Sequence, residues 1–435
     1  MTVENPKVIV RMGSHAEKDY IQKTAHLLDG VMIGANLLEA TPAATASFLG
    51  MRLKGGYYVD PMTYVYGCDL EVIKSPQGKN RVLTYKRSYK KLSERLGGLF
   101  ADTLERNSRI SPKDLKGDSK AEEYCQSVVE YQVNRIKEEF EGDPEYKGYA
   151  DDISGPAIIF SPYFYIEPNN SWVWVDVMLL VAKVTANINS NIPAHVIICT
   201  DESMLDNKDF LNKLKTSLPK TGIKGVWFWF SKFDEVNTSI EKLKGFRSLV
   251  EDISKEIEVY NLHGGYFSLS LCKKGLSGIS HGVGYGEQRD IVPVIGEATP
   301  TVRYYLPDLH KRLGVPAIER CFDGLGIKTV DDFHNKICGC VVCKGVVSKD
   351  VGDFNSFGDM AYSSPSSKKK AQTPAAAKRC RFHFLMNRIQ ERDKMKRIDI
   401  GGILSEFEGV VEKWSGQVLV KNDVAHINKW RAALI

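Results

Sequence analysis

Eight short apolar runs recur along this chain, at residues 7–12, 30–35, 56–60, 157–160, 195–199, 226–230, 259–262 and 276–279. Most are separated by stretches with helical spacing. Residues 15–29 place Ile21, Ala25 and Leu28 on one face, and 42–49 is short and helix-like. Further on, 121–140 gathers Tyr124, Val128, Val129, Tyr131 and Ile136. Short continuous apolar runs alternating with helices predict a parallel sheet. Eight of them predict an α/β fold closed as a (β/α)8 TIM barrel, whose working residues stand where strands run into the following loops. An open doubly wound sheet is the alternative, but no G-x-G-x-x-G or Walker-type loop supports it.

One connection is too long for a simple barrel. Residues 61–156 form an insertion with a hairpin-like turn at 75–78, a basic aromatic stretch and the 121–140 helix. Connections of this length usually carry a subdomain or a function. The barrel is expected over 1–335, a metal-binding subdomain over 336–395, and C-terminal helices over 396–435. A Ser/Lys-rich segment at 353–378 reads as a flexible insertion unable to bury a core.

Composition narrows the setting. The 435 residues are 43% apolar and 26% charged, enough for a large core, and the net charge of +5 permits a polyanionic partner without requiring one. No run of eighteen apolar residues occurs, so no transmembrane helix is expected. The first residues show no basic-then-apolar pattern, so secretion is not expected. Nine cysteines, four of them near one site, fit a reducing cytoplasm better than a disulfide framework.

The cysteines cluster as Cys338-Gly-Cys340-Val-Val-Cys343, followed forty residues later by His383. Three thiolates at this spacing can turn onto one ion, and an imidazole completes a tetrahedral Cys3His shell, the composition of a closed structural zinc site. Cys380 is a rival fourth ligand. His383 is favoured because residues 382–386 read as the start of a helix.

The strand endings and this cluster together resemble the tRNA-guanine transglycosylase family, including its relatives that place 7-deazaguanine bases in DNA. In that family a zinc subdomain with C-x-C-x2-C and a later His follows the eighth strand. The resemblance also rests on Asp60-Pro-Met-Thr-Tyr64 after the third strand and Gly34-Ala-Asn36 after the second. It implies that Asp60 is a catalytic carboxylate, that Tyr64 stacks on a bound base, and that Asn36 lies in the pocket. It further implies a homodimer, a structural zinc ion, and a guanine or 7-deazaguanine substrate borne by DNA or tRNA. Where the family has its strand-eight nucleophilic aspartate, this chain has Ser280 or His281; where it has a base-binding aspartate after strand four, this chain has Ser161. The family's Gly-rich turn after strand six is 230–235 here.

Base exchange at a sugar carbon passes through an oxocarbenium-like state and calls for two carboxyl groups. Asp201, after the fifth strand, is the expected partner of Asp60, although Thr-Asp-Glu is also an ordinary helix opening. Asp60 likewise has an ordinary reading as a turn residue before Pro61. Glu167 and Glu287 are weaker candidates. His263 and His281 end adjacent strands and can face each other across the barrel mouth, and Gly264-Gly265 allow close backbone approach to a flat ligand. Tyr163, Tyr266 and Tyr285 offer further stacking surfaces. For a polynucleotide, 85–91 interleaves basic and aromatic residues, which a solvated helix face explains equally well. Basic residues at 368–370 and 378–381 flank the metal unit. Two functions follow: base exchange in a polynucleotide, or a non-exchanging relative that binds a 7-deazaguanine or a modified partner in a modification or antiviral-defence system.

Overall fold

The computed structural model describes residues 2–53, 55–77, 81–115, 117–188, 191–283, 290–291, 301–362, 369–417 and 424–435. Eight parallel strands form a nearly closed barrel: β1 (Lys7–Met12), β2 (Gly30–Gly34), β3 (Tyr57–Asp60), β6 (Ile159–Phe160), β8 (Ala194–Asp201), β9 (Gly225–Ser231), β10 (Glu258–Asn261) and β11 (Leu276–Gly282). Between β3 and β6 an antiparallel hairpin, β4 (Lys74–Gln77) and β5 (Val82–Tyr85), stands off the barrel, and the two-residue β7 (Tyr165–Ile166) adds to β8. β8 and β9 are buried on nearly every residue, as expected of strands covered on both faces. All eight apolar runs are thus barrel strands, in the order expected.

Helices α1 (Lys18–Thr24), α2 (Ala35–Ala40) and α3 (Pro42–Ser47) follow the first two strands. In the long connection, α4 (Arg87–Leu96) and α5 (Gly98–Glu105) precede α6 (Asp118–Gly142). α6 is not an appendage. It packs between α3 and α7 (Ser171–Asn187) and occupies the place of the barrel helix joining the third and fourth strands. Helices α8 (Lys208–Ser217), α9 (Ile240–Ile253) and the short α10 (Tyr266–Ser270) continue the circuit.

The seam of the barrel lies between β3 and β6. Ala157 N–H donates to the Tyr57 carbonyl (2.8 Å), but β6 is only two residues long and no β3–β6 ladder follows. Instead the wholly buried Gln132 of α6 takes both backbone groups of Phe160: its Oε1 accepts the N–H and its Nε2 donates to the carbonyl, each at 2.8 Å. Farther up, the Thr63 hydroxyl donates to the Tyr163 carbonyl and accepts the Tyr163 N–H, again at 2.8 Å. α6 is fastened to α2 by a buried ion pair, Arg135 Nε to Glu39 Oε1 at 2.6 Å, with the Tyr131 hydroxyl on the same oxygen.

After β11 the hairpin β12 (Tyr304–Leu306) and β13 (Lys311–Leu313) leads into α11 (Val315–Glu319), α12 (Val330–Lys336) and α13 (Val341–Val346). A second hairpin, β14 (Met360–Tyr362) and β15 (Lys370–Gln372), precedes α14 (Pro374–Met395), α15 (Ile400–Ser415) and α16 (Ala425–Leu434). α14 packs on β1, α1 and α10, the place of the eighth barrel helix. Its Arg392 bonds Asp29 (2.9 Å) and the Leu27 carbonyl (2.8 Å), and Lys378 pairs with Asp19 (2.8 Å). The basic run at 378–381 is therefore a tether of α14 to the barrel. The segment expected to be a flexible insertion is partly packed: Val351–Phe357 is a 3-10 helix that buries Phe354 and Phe357. Lys368 lies outside the described residues.

Two outcomes are expected. Gln132→Met leaves the Phe160 N–H and carbonyl buried without partners, each worth about 1–3 kcal/mol. Urea unfolding should show a loss of about 2–6 kcal/mol; an unchanged midpoint would remove Gln132 from the seam. On the neighbouring strand, in register with Phe160, burial pushes the His195 imidazole down to about 3, and its Nδ1 accepts the Trp227 indole N–H at 3.1 Å. The unfolded chain therefore binds a proton near pH 6.5 that the folded chain refuses. This contribution is complete above that value and is lost as pH falls, by up to about 1.4 kcal/mol per pH unit. His195→Gln should flatten that part of the stability–pH slope.

Candidate metal centre and barrel-mouth cavity

Cys338, Cys340, Cys343 and His383 converge, all buried, with their ligand atoms within 4.8 Å of one another. Local structure explains the convergence. Cys340 caps α13, so its sulfur accepts the Cys343 N–H (3.4 Å) while the Cys338 sulfur accepts the Cys340 N–H (3.4 Å). His383 projects from α14, with Nδ1 at 3.3 Å from both the Cys340 and Cys343 sulfurs. Its Nε2 lies 2.6 Å from the Tyr305 carbonyl, which can only accept; a proton therefore sits on Nε2, and Nδ1 is the ring nitrogen turned to the thiols. Tyr304 stacks on the imidazole at 4.1 Å and its hydroxyl touches Cys343 Sγ at 3.2 Å. This buried Cys3His set is compatible with a zinc site. Cys380 is excluded from it, since its thiol bonds the Phe357 carbonyl at 3.3 Å. The preference for His383 holds for a different reason from the one expected. The helix begins at Pro374, capped by Thr373, and His383 lies well inside it.

Asp60 is buried and fully engaged. Its Oδ2 meets Arg11 at 3.2 Å, while its Oδ1 accepts the Tyr163 hydroxyl (2.8 Å) and the Met62 N–H (3.0 Å). The last bond closes a turn in which Met62 has a φ of 55°, so the turn role anticipated for Asp60 is real. Tyr64 is stacked on Tyr163 (5.5 Å) and meets Trp229 edge-on (5.0 Å). Asn36 donates to the Tyr89 hydroxyl at 3.2 Å. Asp201 caps the turn after β8 by accepting the Ser203 N–H (3.0 Å), the ordinary helix-opening role. Glu167 pairs with Arg109 at 2.8 Å. The Ser161 hydroxyl is buried and has no partner among the described residues. Tyr285 and Glu287 lie outside the described residues. In the 85–91 stretch Lys86, Arg87 and Lys90 are exposed, whereas both tyrosines are engaged, Tyr85 with Asn107 and Tyr89 with Asn36.

The open space lies elsewhere at the mouth. A cavity of about 810 Å³ sits over the carboxyl ends of β9, β10 and β11, beneath the β12–β13 hairpin and beside α14 and α16. His263, Gly264, Gly265 and His281 line it, as the strand positions implied; Asp60, Tyr64, Asn36, Ser161 and Asp201 do not. A Cβ on Gly264 would come within 2.5 Å of Ile279, and one on Gly265 within 2.5 Å of Glu235. Ser280 is turned away, its hydroxyl donating to the Leu262 carbonyl. Tyr266 is not a free stacking face, because His310 already lies over it at 3.3 Å and 7°.

Several cavity residues carried no obvious mark in the sequence. Glu235 is buried; its Oε1 accepts the Gly265 N–H (2.8 Å) and the Ser268 hydroxyl (2.5 Å), and its Oε2 has no partner among the described residues. Arg388 and Glu391 of α14 pair at 2.8 Å, and Glu391 also accepts from Tyr305 (2.6 Å) and contacts His310 (2.8 Å). Burial and the Arg388 charge hold His281 neutral, well below the ordinary histidine range. A usable signal existed: at helical spacing, Arg388, Glu391 and Arg392 share α14 with Phe384, Leu385 and Met395, placing charge on a buried stripe.

Compared with known protein families and curated proteins, the chain matches no family model and no curated protein.

The ligand set makes an expected outcome plain. Cys340→Ser should lose bound metal and destabilise the chain, whereas Cys380→Ser should keep one equivalent. Metal analysis of the purified proteins checks both, and metal loss from the Cys380 variant alone would reverse the assignment.

Proposed function

We propose that this chain is a transglycosylase-like barrel that handles guanine or a 7-deazaguanine base of a polynucleotide, DNA or tRNA, by base exchange, with zinc as the structural ion of its Cys3His set. The observation that carries the reading is the mouth cavity. Its volume of about 810 Å³ suits a nucleotide, and it lies at the carboxyl ends of barrel strands, where such folds place their chemistry. Among the described residues five basic side chains line it (Lys232, Arg303, Lys311, Arg312 and Arg388) and three acidic ones (Asp234, Glu235 and Asp290), a lining compatible with an anionic ligand.

Exchange requires a carboxyl group at the sugar carbon and a group to trade a proton with the purine. On this reading Asp60, which does not line the cavity, supplies the first only where the seam opens and the Tyr163 hydroxyl releases its Oδ1. Glu235, whose Oε2 has no partner among the described residues, would serve the base. The engagement of Asp60 by Arg11, Tyr163 and Met62 favours a second reading, in which the barrel binds the base without exchanging it.

Incubation with radiolabelled guanine or 7-deazaguanine and either tRNA or duplex DNA separates the two. Exchange predicts label entering one polymer, and its loss in Asp60→Asn with metal content intact. Undiminished labelling by that variant would sink the role of Asp60. Absence of label in both polymers, alongside tight calorimetric binding of the free base, would establish the non-exchanging reading.

A further inference from the structure

The cavity wall beside α14 contains an arrangement that base handling does not itself require. Two guanidinium groups lie over one aromatic ring: Arg312 is 4.2 Å and Arg388 is 5.3 Å from the centre of Phe384. His281 meets the same ring edge-on at 5.0 Å. Arg388 is only 4% exposed, and among the described residues its ion pair is with Glu391. Glu391 is itself shared with Tyr305 and His310, so its charge is divided among several donors. The Nε of Arg388 has no partner among the described residues. A buried guanidinium left partly unbonded beside a cavity is costly unless a ligand completes its shell.

His281 adds a second requirement. Its Nδ1 lies 3.3 Å from the Gly282 carbonyl, which can only accept, so Nδ1 carries the proton and Nε2 is a bare acceptor. That Nε2 is buried and unpartnered among the described residues. The wall therefore carries two guanidinium groups against one ring and, at the edge of the same ring, one acceptor.

We propose that Arg388 and Arg312, stacked on Phe384, form a phosphate-binding subsite, and that His281 Nε2 accepts a hydrogen bond from a hydroxyl or base N–H of the same ligand. The ligand class is a phosphate ester with a neighbouring donor, which a free nucleotide and a polynucleotide both supply. The ordinary phosphate-pairing geometry of arginine, a planar fork of donors, suits this role. The inference rests on the reading that a nucleic-acid base is handled in this cavity, but binding reports on it apart from exchange.

Calorimetry on the full-length protein with GMP and with guanosine tests it. GMP should bind at least about ten-fold more tightly than guanosine, the return expected of a charge-assisted contact. Arg312→Gln should erase most of that preference while leaving guanosine binding unchanged. The paired variant Arg388→Gln with Glu391→Gln should do the same without leaving a lone buried charge. His281→Phe should weaken both ligands alike. Displacement of GMP by single-stranded RNA or DNA would name the phosphodiester as the source, and failure of both to displace it would name the free nucleotide. Equal affinities for GMP and guanosine, absence of binding by either, or a preference that survives both arginine variants would overturn the subsite. Guanosine binding untouched by His281→Phe would overturn the acceptor role. Lack of label transfer with the phosphate preference intact would count against exchange alone.

Discussion

The barrel depends on how its seam is closed. A parallel barrel must satisfy the backbone groups of every strand, and here the fourth strand is two residues long and gains no ladder from the third. Gln132 replaces that ladder with a side-chain amide that presents a donor and an acceptor at the spacing of a peptide group. Only a helix lying along the seam can deliver it, which is why α6 had to be part of the barrel and not of the excursion before it. The Arg135–Glu39 pair then fixes α6 to the neighbouring helix. Asp60 belongs to the same closure. Tyr163, held across the seam by Thr63, places its hydroxyl on the Asp60 carboxylate, and Arg11 reaches Asp60 across β2. A carboxylate committed to closing the barrel is stable and preorganised, and any chemistry it performs begins with the release of a bond.

Charges inside this molecule divide into those that are matched and those that are not. Glu39 with Arg135 is a near-complete match inside helix packing. The Arg388, Glu391, His310 and Tyr305 group is not, because three donors converge on one carboxylate. Desolvated ions that lack full partners are costly, and they occur here at the wall of the cavity over β9, β10 and β11. That coincidence of cost and access sets the cavity apart from the aromatic-filled side, where Tyr64, Tyr163 and Trp229 leave no room.

The strands were legible because each is a continuous apolar run, a pattern that burial on both faces imposes. The metal set was legible because thiol spacing in a tight loop is a local property. Roles that depend on rotamer and neighbour were not. Asp201 and Asp60 have the same strand-end position, yet one caps a turn in half-exposed surroundings and the other closes the seam. His263, His281, Gly264 and Gly265 line the cavity because strand ends determine which residues face the mouth. Glu235 and Arg388 escaped notice because one follows a strand by several residues and the other comes from a helix more than a hundred residues later. The helix start at 382 was misjudged because Pro374-Ala-Ala-Ala377 reads as a loop by composition, although proline in the first turn, behind a threonine cap, opens a helix.

The metal centre and the cavity share one element. α14 carries His383 on one turn, Phe384 on the next residue, and Arg388 and Glu391 one and two turns later. Its axial position is set at one end by Arg392 on Asp29 and at the other by the convergence of His383 on three cysteines. A helix that slid by one residue would turn by about 100° and carry Arg388 out of the wall. An ion held by Cys338, Cys340 and Cys343 would resist that motion directly, since His383 cannot leave the cluster without breaking its bond to the Tyr305 carbonyl as well. The Cys3His set therefore does more than join two chain segments. With an ion bound it would also fix the register of the helix that furnishes one wall of the cavity, and so couple a site with no chemistry of its own to the place where chemistry is proposed.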